Sequence, residues 1–196
     1  MVGELGDWDA ILVGFRDPPG FEDLGSVAGE TTLGLGRALE PLPLVSSSIS
    51  GPWPSWRVIE RDDLRIAVTG VSALRSKERW PNGLAGIEPV EALEQALAER
   101  PPADVHVVLA YETAGVTEQL ASLEGVDVLV EAGGYSAKWS PERVGDAIWL
   151  RTARGGTRLS ELRLWIADGA LKRAVHREVS VDTTLPRRRV ATSKSP

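Results

Sequence analysis

The chain has 196 residues, with 22 basic against 28 acidic side chains and a formal charge of −6. That balance excludes nucleic acid as the default partner, because phosphate contacts need a net basic surface. The absence of cysteine excludes disulfides, thiolate metal sites and cysteine nucleophiles. A length of this order suits one domain whose apolar core needs no staple. No apolar run approaches the roughly 18 residues of a membrane-spanning helix. Met1 to Asp7 lacks the basic and apolar segments of a signal peptide, so as written the chain reads as cytoplasmic; a missing N-terminal segment would make it extracytoplasmic.

In chain order, Asp9 to Val13 ("DAILV") is the first expected strand, followed by Gly14, the polar loop Phe15-Arg16-Asp17 and the breaker pair Pro18-Pro19. A helical segment is expected within "GFEDLGSVAGETTLGLGRALE", against the pull of its glycines. Further apolar, β-branched runs predict strands at Pro43 to Val45, Leu64 to Val71, Val105 to Ala110 and Val126 to Val130. Between them, Glu88 to Arg100 sets Val90, Leu93, Ala96 and Leu97 on one helical face, and Pro101-Pro102 stops it. A shorter helix is expected from Val116 to Leu123, ending at Gly125. After Gly134 the pattern alternates: Ala147 to Ala153, Leu159 to Ala167 and Ala170 to Val181 read as antiparallel strands, with Asp168-Gly169 as a hairpin turn. The chain therefore reads as βαβ-like units followed by a β-meander, one α/β domain over 1–185. A basic tail over 186–196, with Arg187, Arg188, Arg189 and Lys194, is expected to be disordered.

With these elements in order, six phrases together resemble the calcineurin-like metallophosphoesterases of the 5′-nucleotidase branch. They are "WDAILVGFRD", "LPLVSSSIS", "WRVIERDDLRIAVTGVSA", "IEPVEALEQALAERPPADVHVVLAYETAG", "LASLEGVDVLVEAGGYSAKWS" and "VGDAIWLRTARGGTRLSELRLWI". The resemblance implies a four-layer αββα fold, N-terminally truncated here, in which "WRVIERDDLRIAVTGVSA" forms a hairpin. It also implies phosphate-ester hydrolysis by two divalent metals held at strand ends by Asp, His and Asn. Here the ligand pattern departs. Phe15 and Arg16 stand where the family has Asn and His, Tyr111 stands where a His follows Leu-Ser, and Glu131-Ala132-Gly133-Gly134-Tyr135 lacks both histidines of G-G-H-x-H. The first two ligand motifs would precede residue 6. The two histidines, His106 and His176, fall inside expected strands rather than at ligand positions.

What the resemblance implies is thus a degenerate, non-catalytic domain serving ligand binding or protein interaction. The alternative is a phosphoric-ester hydrolase with an atypical site or with its front motifs missing. Arg16 and Asp17 are the catalytic candidates; Arg16, Tyr111, Glu112, Gly133 and Tyr135 are the ligand-binding ones. No metal ligand is assigned, and no cofactor is expected; a Mn, Zn or Mg pair enters only with the alternative. Each candidate has a plainer explanation. Arg16 is equally placed to pair with Asp17 or Glu112, Glu131 with Asp17 and Glu112 reads as solvated loop charge, Phe15, Tyr111 and Tyr135 fill an emptied pocket, and Gly133-Gly134 makes a turn. For partners, the expectation is a protein met through an open sheet edge or through a patch containing Trp53 and Trp56, with no nucleic acid and no membrane span.

Overall fold

The computed structural model describes residues 10–12, 44–50, 53–73, 86–111, 113, 115–133, 141–152, 158–167 and 170–180. Its centre is a six-stranded sheet. Four parallel strands, β4 (Leu64–Ser72), β5 (Val105–Tyr111), β6 (Val128–Ala132) and β8 (Ala147–Arg151), lie side by side. Antiparallel strands close the two edges: β3 (Arg57–Arg61) beside β4, and β7 (Glu142–Val144) beside β8. Parallel strands are covered on both faces, so continuous apolar sequences are what they need. "VHVVLAY" and "VLVEA" are such sequences, and both begin or end on buried residues.

Edge strands need the opposite, charges that discourage a further strand. β3 reads Arg-Val-Ile-Glu-Arg, with every residue but Ile59 exposed. The expected hairpin is present: β3 returns into β4 through Asp62 and Asp63, where Asp62 takes a φ of 52°. Aspartate is among the few side chains that tolerate this left-handed region.

One face of the sheet carries α1 (Pro89–Ala98) and α2 (Thr117–Ala121). Pro89 opens α1 with its φ preset and no N–H to satisfy. Ala92, Leu93, Ala96 and Leu97 are buried, on the face that the spacing predicts, while Glu91, Glu94 and Gln95 stay in solvent. The main core forms where these helices meet the sheet, with Leu93, Leu120, Leu129, Val71 and Val108 wholly enclosed. Trp56 packs against this core as well.

A second, parallel pair, β1 (Ile11–Leu12) and β2 (Leu44–Val45), contacts the sheet through β4, with β1 also reaching β5. Beyond β2 the chain is tied to β4 by serines. Ser47 N–H donates to the Gly70 carbonyl at 2.8 Å, and Ser48 Oγ accepts from Ser72 N–H at 2.8 Å.

Of the C-terminal strands expected to be antiparallel, β9 (Arg158–Ala167) and β10 (Ala170–Ser180) pair so, whereas β8 is antiparallel only to β7 and joins β6 in parallel. The strands divide between two sheets: β7 and β8 complete the main sheet, whereas β9 and β10 form a long hairpin of their own. The helical segment expected in "GFEDLGSVAGETTLGLGRALE", the Asp168-Gly169 turn and the 186–196 tail lie outside the described residues.

Candidate functional site

In a parallel sheet the loops after the strands share one edge, and ligands of open α/β sheets bind there. Register aligns these ends closely. Ser72, Tyr111 and Ala132 form one row across β4, β5 and β6. One residue earlier, Val71, Ala110, Glu131 and Arg151 form another that continues into β8. Of the sequence-derived candidates, Tyr111 ends β5, half-buried, and its carbonyl accepts from Ala73 N–H at 3.0 Å. Gly133 follows β6 with a φ of 81°, a left-handed conformation that explains a glycine there. Arg16, Asp17, Glu112 and Tyr135, like Phe15 and Gly134, lie outside the described residues.

The charged centre of this edge is Glu131, and here the expectation of a solvated loop charge is corrected. Its side chain is buried and fully engaged. Oε1 accepts from Thr117 Oγ1 at 3.1 Å, and Oε2 from Trp149 Nε1 at 3.1 Å. Arg151 Nε stands 3.6 Å from Oε2. The same guanidinium lies over the Trp149 ring, 3.5 Å from its centroid, and donates through Nη2 to Glu142 Oε2 at 3.2 Å. Its Nη1 sits 3.1 Å from Glu142 Oε1 without hydrogen-bond alignment. Thr117 Oγ1 is held in turn by Thr113, at 2.9 Å from its carbonyl and 3.0 Å from its hydroxyl.

Burial of a carboxylate demands such partners, since an unpaired charge there would be costly. Strand register supplies them: Glu131 faces Arg151 across β6–β8, and Glu142 faces Trp149 across β7–β8, so all four side chains share the helix-covered face. A carboxylate inside the apolar run "VDVLVEA" and a guanidinium at the end of "AIWLR" are the sequence signals for this cluster, which residue-by-residue reading passed over.

Both imidazoles lie elsewhere. His106 begins β5, at the opposite end from Tyr111. Its Nε2 donates to the Pro101 carbonyl at 3.0 Å, its Nδ1 stands 3.5 Å from Asp127 Oδ2, and its ring meets Trp56 edge-on. His176 belongs to β10. The two tryptophans of the expected patch are half-buried with their indole N–H groups used internally, Trp53 on the Ile49 carbonyl and Trp56 on the Ala96 carbonyl. Among the described residues no three His, Cys, Asp or Glu side chains converge as metal ligands. The donors present at the described strand ends do not fit a pair of divalent ions: Tyr111 offers a neutral phenol, Gly133 only its backbone carbonyl, and Glu131 already accepts from Thr117 and Trp149 beside Arg151.

This α/β fold is the one found in solved 5′-nucleotidases and related metallophosphoesterases. The sulfate thiohydrolase SoxB from Thermus thermophilus superposes with a TM-score of 0.60 at 23% identity, over 76% of this chain and 29% of that one. The NAD nucleotidase of Haemophilus influenzae gives 0.61 at 12% identity, over 89% and 40%. A 5′-nucleotidase from Candida albicans gives 0.53 at 14%, over 71% and 31%. The chain thus spans well under half the length of these proteins. No family model matches it, and no curated protein matches its sequence.

Proposed function

We propose that this chain is a degenerate metallophosphoesterase-like domain, without two-metal hydrolysis, that serves binding or protein interaction. One observation carries the reading. The ends of β5 and β6 present Tyr111 and Gly133, while the chain's two histidines sit at the start of β5 and within β10. Two-metal hydrolysis needs ligands aimed from rigid strand ends, both to clamp the phosphate and to generate hydroxide. Here the described carboxylates of that cluster, Glu131 and Glu142, both face Arg151 instead. Tyr111 adds an aromatic surface of the kind that fills or lines an apolar pocket.

The test is metal analysis of the purified protein beside a p-nitrophenyl phosphate and nucleotide hydrolysis assay with Mn²⁺ or Co²⁺ added. The expected result is no stoichiometric metal and no turnover above buffer. Metal-dependent turnover that disappears on Arg16→Ala or Asp17→Ala would overturn the reading in favour of a hydrolase with an atypical site.

A further inference from the structure

The β9–β10 hairpin presents a face that ordinary folding does not explain. Residues opposed in register point to the same side, so Leu159 with Val179, Glu161 with Arg177, Arg163 with Val175 and Trp165 with Arg173 share one face. The opposite face holds Leu162, Leu164, Ile166, Ala174 and His176, all half-buried. The first face should then be the polar one, as in any sheet with a single wetted side. Instead it holds Leu159 at 63% exposure, Trp165 at 45%, Val175 at 38% and Val179 at 37%. Those are four of the six exposed large apolar side chains among the described residues. Between them, Arg163 pairs with Glu161, Arg173 extends beside the Trp165 ring at 5.0 Å, and Arg177 is exposed. Three arginines against one glutamate leave this apolar face positive.

We infer that the face docks an extended acidic segment of a partner protein. Its alternate apolar side chains would cover Leu159, Trp165, Val175 and Val179, and its carboxylates would meet Arg173 and Arg177. Dimensions favour a segment over a folded surface. Ten residues at about 3.3 Å each and two strands about 4.8 Å apart give a face of on the order of 300 Å². That is well short of the ~800 Å² per side of a stable rigid interface. Among the described residues the hairpin is a two-stranded sheet, so its outer edges also offer backbone groups to an added strand. Charge decides against a second copy, which laid face to face would oppose arginines to arginines.

The proposal rests on the reading of this chain as a binding domain, yet it fails separately: phosphatase turnover leaves the hairpin untouched, and peptide titration leaves the strand ends untouched. Fluorescence anisotropy would follow a labelled ten-residue peptide alternating Glu and Val on the whole protein, with a Lys–Val peptide as its counterpart. The expected result is micromolar binding of the Glu–Val peptide only, decreasing with salt and at least about tenfold weaker in R173E/R177E. Circular dichroism confirms that this surface variant folds, and Trp165→Ser provides a second variant that weakens binding without changing charge. Absence of binding, equal binding of the Lys–Val peptide or indifference to R173E/R177E would overturn the proposal. So would stronger binding to phosphatidylserine vesicles than to the peptide, or a dimer in sedimentation that Trp165→Ser dissolves.

Discussion

Glu131 and Arg151 depend on one another, and the dependence is measurable. Arg151→Met removes the only cation within reach of the buried Glu131 among the described residues while preserving packing against Trp149. Breaking a buried pair from one side costs about 3–5 kcal/mol, because the remaining charge is stranded. Here a loss of about 3 kcal/mol is expected in urea unfolding, as Thr117 and Trp149 still donate to the carboxylate. The double variant Glu131→Gln with Arg151→Met should recover part of that loss, since the carboxylate that then loses its cation, Glu142, is partly in solvent. A double variant as unstable as the sum of the singles would show that the two side chains act independently.

At the scale of elements, the legible parts were those decided by local pattern. β4, β5, β6 and β8 are largely buried strands; continuous apolar runs announced the first three to within a few residues, and alternation announced β8. α1 followed from the spacing of Leu93, Ala96 and Leu97, and the two prolines after Arg100 marked its end. Periodicity passed over β7, which has three residues, and saw β3 only through the family resemblance, because charges mask an edge strand. The Glu131 cluster was illegible for a different reason: it is assembled by the register of β6, β7 and β8, a non-local quantity no spacing rule contains. The helical pattern makes its own prediction. Leu93→Ala should destabilise by about 2–5 kcal/mol, the range for truncating an enclosed leucine. Glu94→Ala, one residue on but in solvent, should stay within about 0.5 kcal/mol. Thermal or urea unfolding of the two variants checks both values.

For the whole molecule, the division into a helix-covered sheet and a self-contained hairpin predicts uneven stability. None of the hairpin residues whose burial is described is buried, whereas β5 and β6 run through the core. Amide exchange should therefore be lost first in β9 and β10 and last in β4, β5 and β6, as expected where few apolar contacts back the backbone ladder. Exchange followed by mass spectrometry on the native chain checks this order; equal protection in the hairpin and β5 would refute it. The serine-lined crossing from β2 to β4 has a further consequence. Ser46, Ser48, Thr69 and Ser72 are buried there; Ser46 Oγ accepts from Ile49 N–H, Thr69 Oγ1 donates to the Ser55 carbonyl and Ser48 Oγ accepts from Ser72 N–H. These bonds contain no ion pair for electrolyte to screen. Ionic strength that screens the exposed Arg163–Glu161 pair of the hairpin would leave this stitching intact, so salt should loosen the hairpin before it loosens the seam between β2 and β4.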